Sequence, residues 1–172
     1  MVFKNEKIGP HNVIYAGKRI RLNDLTVNKF QMDIKSKIIT VTTSVKAPVE
    51  KVWELWTTPE HIKNWNRAND DWHTPKAENN LRAGGRFVSR MEAKDGSMGF
   101  DFGGTYDEIK AKKLISYTLD DGRKVEVVFL SDGNTTKITE NFEAESTNPI
   151  EMQQEGWQAI LDNFKIYAES KS

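Results

Sequence analysis

Glu140 and Tyr117 are the side chains best placed to do acid–base chemistry away from water. In Ile138-Thr139-Glu140-Asn141-Phe142 the acid falls between two apolar residues on one side of an alternating segment. A strand there turns all three inward. A buried carboxyl needs a partner or it keeps its proton. Tyr117, from the alternating Ile115, Tyr117 and Leu119, is one candidate partner, and a polar group on a ligand is another. The plainer reading is a twisted strand end that leaves Glu140 wet. A buried pair of this kind could move a proton or anchor the polar end of an apolar molecule.

Other chemistry is poorly supplied. The chain has no Cys, which excludes disulfides, thiolate metal sites and a Cys nucleophile. His11, His61 and His73 lie apart, none at a metal spacing such as H-E-x-x-H. No metal site, cofactor or catalytic residue is assigned. No G-x-S-x-G elbow is present for a serine nucleophile. Gly84-Gly85-Arg86 has no helix after it, so it is no phosphate loop. Strand parity turns Arg86 away from the inward face unless a bulge intervenes.

Composition bounds the partners. The chain has 172 residues, 37% of them hydrophobic, with five Trp and eight Phe. That suits one domain with an extension. Lys plus Arg equals Asp plus Glu at 25 each, which argues against a nucleic-acid binder. No stretch reaches the roughly 18 apolar residues of a membrane span. The absence of Cys fits a cytoplasmic protein, and the start of the chain has no signal-peptide core.

Residues 1–35 read as a separate extension, with seven basic and three acidic residues. Asn12 to Tyr15 and Lys18 to Leu22 read as a short hairpin about Ala16-Gly17. The plainer reading is a loosely docked segment. The sharper one is a clasp on a second copy, which gives a homodimer.

Residues 36–172 carry the domain. Lys37 to Val45 alternates and is rich in β-branched residues, a strand. Val49, Val52, Trp53 and Trp56 form an apolar helical stripe. Thr58-Pro59 starts a second short helix, with Thr58 as cap. Residues 66–82 are polar and read as a long loop, a lid in its sharper reading. A meander follows, with Asp-Gly turns at Asp95-Gly96, Asp121-Gly122 and Asp132-Gly133. Asn148 to Ser170 then reads as an amphipathic helix about 30 Å long, capped by Asn148 with Glu151 reaching back. Gly103-Gly104 supports bending in mid-strand. The fold class is α+β: a curved antiparallel sheet of about six strands wrapped around the C-terminal helix, with two short helices after the first strand.

Parity gives the inward rows. Phe87 and Met91 share one, Phe100 and Phe102 another, with Tyr117 and Glu140 on later strands. Trp157 and Leu161 face them from the helix. Trp65 and Trp72 flank the polar loop and would pin it or form a pocket mouth. The plain reading is dense packed core, and the functional one is an apolar pocket with polar anchors.

Ala47-Pro48-Val49 with Val52-Trp53, Trp56-Thr57-Thr58-Pro59-Glu60 and Trp65 resemble the domains homologous to the activator of the ninety-kilodalton heat-shock chaperone's ATPase. So do Gly84-Gly85-Arg86-Phe87, Asp95-Gly96, Gly104-Thr105-Tyr106 with Glu108-Ile109, Thr135-Thr136, and Gly156-Trp157 with Leu161. The resemblance covers about residues 37–170 and implies the helix-grip fold of START-like lipid-transfer domains, often with an apolar cavity. It also implies a role in stress response and a chaperone as a partner. The leading expectation is a soluble module that binds a small hydrophobic ligand, lipid-like in class, through Trp65, Trp72, Phe87, Met91, Phe100, Phe102, Tyr117, Glu140, Trp157 and Leu161. A chaperone-associated interaction protein is the second. A cyclase or hydrolase using Glu140 and Tyr117 is the third.

Overall fold

The computed structural model describes residues 12–15, 18–21 and 37–171. Strands β1 (Asn12–Tyr15) and β2 (Lys18–Arg21) pair antiparallel as a two-stranded sheet of their own. They belong to a unit distinct from residues 38–172. His11, Ala16, Gly17, Leu22 and the rest of the clasp read in the extension lie outside the described residues.

The second unit is built on seven antiparallel strands. These are β3 (Ile38–Val45), β4 (Trp72–Asn79), β5 (Arg86–Ala93), β6 (Gly99–Lys110), β7 (Leu114–Leu119), β8 (Lys124–Asp132) and β9 (Thr135–Glu143). Their order is β3-β9-β8-β7-β6-β5-β4, so β4 to β9 form a meander and β3 closes against β9. Helices α1 (Val49–Thr57) and α2 (Pro59–Trp65) follow β3, and α3 (Ile150–Glu169) ends the chain. Gly96, Gly122 and Gly133 adopt positive φ at the hairpin turns, as those Asp-Gly pairs require.

The core lies between the sheet's inner face and α3. Val41, Val127, Ile138 and Phe142 from the strands meet Leu161 and Phe164 from the helix, all fully buried. Alternation produces this directly, since β8 buries Val125, Val127 and Phe129 while the residues between them are exposed or half-buried. The α1 stripe is rotated slightly from expectation. Leu55 joins Val49 and Val52 in the core, while Trp53 and Trp56 are half-buried against Phe129.

Three expectations are corrected. The sheet has seven strands, because residues 72–79 form an edge strand where a polar loop was expected. Pro75 hid it, since proline breaks a ladder. Here Pro75 sits at a register shift between His73 and Lys76, on a strand with one neighbour, where a missing donor costs little. A lid over 66–82 is therefore replaced by a sheet edge. The third correction concerns α3, which starts one residue later than its expected cap. Pro149 is the capping residue and makes no side-chain hydrogen bond. Gln153 instead ties the preceding loop to the helix: its amide donates to the Glu145 and Asn148 carbonyls at 3.1 and 2.8 Å and accepts from the Glu145 amide at 2.9 Å.

Candidate functional site

A cavity of about 450 Å³ lies between the sheet and α3. Its floor comes from alternate residues of four strands: Phe87, Ser89 and Met91 on β5, Phe102 and Tyr106 on β6, Ile115 and Tyr117 on β7, and Glu140 on β9. Its roof is the α3 face bearing Gly156, Trp157, Ile160 and Leu161. Trp56, Ile62, Trp65 and Trp72 line it from the helices α1 and α2 and from the sheet edge, Arg123 from the β7–β8 turn, and Asn148, Met152 and Gln153 from the approach to α3 and its first turn.

All ten sequence-predicted site residues stand on this wall, at different depths. Glu140, Tyr117, Met91, Trp65 and Leu161 are buried. Phe87, Phe102, Trp72 and Trp157 are half-buried. Phe100 is 46% exposed and stands beside Trp72, ring centroids 5.8 Å apart, so these two mark an outer edge. Trp65 is a buttress as much as a wall: its indole N–H donates to the Leu55 carbonyl at 3.1 Å and its ring packs on Phe164.

The glycines of β6 let the rings close up. Phe87 faces Gly104 across the β5–β6 ladder. A Cβ on Gly104 would fall 2.5 Å from the Thr118 carbonyl oxygen and 3.1 Å from the Phe87 ring. Without that Cβ, Phe87 packs at 4.9 Å on Tyr117, 5.1 Å on Tyr106 and 6.1 Å on Phe102. Phe102 then meets Trp157 at 5.9 Å. The rings form a continuous chain around the inner cavity.

Glu140 lies at the floor of this ring chain, 7% exposed. Its ladder neighbours are Val127 and Val41, so no polar side chain stands beside it on the adjacent strands. Burial pushes its carboxyl up to about 8 from an ordinary 4.5, and a hydrogen bond from the Tyr117 hydroxyl offsets only part of that rise. Burial also drives the Tyr117 phenol well above its usual range, reinforced by the neighbouring acid. At neutral pH the pair is therefore uncharged: a protonated carboxyl beside a phenol.

The other charged groups at the wall are already engaged. Arg123 pairs with Asp121 at 2.8 Å, and the Glu145 carboxylate accepts the Thr147 and Asn148 amides. Arg86, turned outward as parity requires, grips Asp120 with two bonds of 2.7 Å. His61 sits 2.7 Å from the Tyr167 hydroxyl, and His73 faces Glu92 at 3.8 Å. Among the described residues no cluster of three metal-ligating side chains occurs.

Sequence reasoning missed Trp56, Arg123, Gln153, Gly156 and Ile160 as wall residues. Parity put Tyr106 in the inward row of β6 with Phe100 and Phe102, and it stands on the wall. Arg123 follows a turn, where no periodicity points. Gly156 offers no side chain to assign.

A curled antiparallel sheet closed on one long C-terminal helix defines a START-like helix-grip domain. The chain belongs to the family described as Activator of Hsp90 ATPase homolog 1-like protein, whose sequence profile matches residues 46–169. Among solved structures, the AHSA1-like protein from Aeromonas hydrophila is 44% identical with a TM-score of 0.74, over 78% of this chain and 94% of that one. Chr148 from Cytophaga hutchinsonii is 56% identical with a TM-score of 0.68, over 77% of this chain and 92% of that one. The Aha1 dimer from Colwellia psychrerythraea, 15% identical with a TM-score of 0.62 over 77% of this chain and 96% of that one, shares the fold. A comparison with the curated proteins finds no match. Among the described residues no helix is long and apolar enough to cross a membrane.

Proposed function

We propose that this domain is a binding module for one small apolar molecule, held between the sheet and α3, with no catalysis of its own. The observation that carries the reading is the cavity: about 450 Å³, within the roughly 300–1,000 Å³ of small-molecule sites. Its aromatic wall supplies apolar contact and its uncharged Glu140–Tyr117 pair supplies one polar anchor. Gly156 supports the same reading. A glycine inside a helix costs about 1 kcal/mol against alanine. A Cβ at Gly156 would meet nothing within 4 Å, so no packing demands the glycine, and its effect is to leave the cavity roof thin.

Native mass spectrometry of freshly purified protein tests this. A stoichiometric adduct that leaves on denaturation supports the reading. Uniformly bare protein that also takes up no added alkanol contradicts it. A second reading, an interaction protein associated with a chaperone, is favoured by the family's description. Co-purification with a ninety-kilodalton chaperone, unaffected by filling the cavity, is its expected signature.

A further inference from the structure

Resting on that reading, we infer that the cavity's ligand is an amphiphilic amine, its ammonium group seated against Glu140 inside the ring chain of Phe87, Phe102, Tyr117 and Trp157.

Glu140 is an acid placed among apolar residues, with a single hydrogen-bonding neighbour, the Tyr117 phenol. Its ladder partners are Val41 on β3 and Val127 on β8, and the other charged side chains on the cavity wall are Arg123 and Glu145, the latter bonded to the Thr147 and Asn148 amides. The cation on the cavity wall, Arg123, is held by Asp121 and acts on Tyr117 rather than on the acid. A buried acid without a counter-charge is unfavourable in its ionised form, which is why this one holds its proton.

The ligand classes differ in what they offer such a site. A carboxylate would meet a second acid in a low-dielectric pocket. An alkanol would satisfy one hydrogen bond and gain nothing from the ring faces beyond contact area. An ammonium group supplies the missing counter-charge, lets the acid ionise, and is attracted by the negative faces of the surrounding rings. The rings of Tyr117, Phe87, Phe102 and Trp157 follow one another along the wall at centroid spacings of 4.9, 6.1 and 5.9 Å, and an ammonium group within about 6 Å of a ring face is attracted to it.

Binding is then coupled to a proton. The empty site holds a proton on Glu140 below about pH 8, and the bound ammonium displaces it. Amine affinity should rise about tenfold per pH unit below that value and level off above it. Titration calorimetry in two buffers of different ionisation enthalpy should record release of close to one proton at pH 7.

The test uses the full chain and three probes of equal length: decylamine, 1-decanol and decanoate. At pH 7.5 the amine should bind at least about tenfold more tightly than the alkanol, with decanoate weakest. Glu140→Gln, which mimics the protonated acid in shape and cannot ionise, should abolish the amine's preference over the alkanol. Equal binding of amine and alkanol to the unaltered chain, or an amine preference that survives Glu140→Gln, overturns the amine assignment while the apolar site stands. Failure of all three probes to bind overturns both. The comparison among probes on the unaltered chain does not depend on the variant's folding.

Discussion

The indole of Trp157 lies flat on the phenyl ring of Phe142, centroids 3.9 Å apart and planes 11° apart. This stack joins the roof of the cavity to the last strand of the sheet. Phe142 is fully buried and belongs to the core, while Trp157 is half-buried and belongs to the wall. One contact therefore fixes both the position of α3 and the height of the cavity above Glu140.

Trp157→Ala should destabilise the fold by about 3 kcal/mol, at the lower end for large-to-small aromatic changes because the ring is partly exposed. Urea denaturation measures it. The midpoint should fall with little change in slope. A loss under about 0.5 kcal/mol would mean that the stack does not hold the helix.

Glu140 predicts a stability that falls as pH rises. Its folded-state pKa, about 8, exceeds the ordinary 4.5 of the unfolded chain, so the native state binds the proton more tightly. The contribution is complete below about pH 4.5 and declines by about 1.4 kcal/mol per pH unit up to about pH 8. Glu140→Gln cannot titrate, so its melting temperature should match the parent near pH 5 and exceed it at pH 8.5. Parallel melting curves from pH 5 to 8.5 settle the sign. An equal pH dependence in both proteins would place the carboxyl in water.

Gly156→Leu should raise stability and lower ligand uptake together. The helix gains about 1 kcal/mol on losing its glycine, and the side chain enters open space. Thermal melting should move up, and 1-decanol affinity should drop at least about tenfold as the cavity fills. Unchanged decanol binding would place the ligand elsewhere.

Gly104→Ala should do the opposite to stability. Its Cβ would press on the Thr118 carbonyl and on the Phe87 ring, an overpacking that costs about 1–3 kcal/mol. Near-ultraviolet circular dichroism should report the displaced ring chain. A native spectrum and an unchanged denaturation midpoint would show that β6 has slack at this point.

Much of this was legible because it follows from period and punctuation. The 3.6-residue stripe through Trp157, Leu161 and Phe164 placed α3, and three Asp-Gly turns placed the meander. Parity then turned Glu140 inward, since a period of two leaves a strand residue only two directions. What escaped had no periodic signal. Edge strand β4 carries a proline that only its edge position tolerates. Gln153 reaches backward to the Glu145 and Asn148 carbonyls that precede α3, which no helical spacing signals. Gly156 and Arg123 shape the cavity through an absent side chain and a turn, and neither leaves a pattern along the chain. Phe100 had the right parity, yet it stands near the start of β6 beside Trp72 and is 46% exposed.

The most direct measurement is an NMR titration of the nitrogen-labelled chain with 1-decanol, read at the five tryptophan indole N–H signals. Trp56, Trp65, Trp72 and Trp157 line the cavity, whereas Trp53 packs on Phe129 outside it. The account predicts saturable shifts for Trp157 and its companions on the wall, with Trp53 unmoved. Shifts at Trp53 alone, or none at any indole, would contradict a ligand site between sheet and helix.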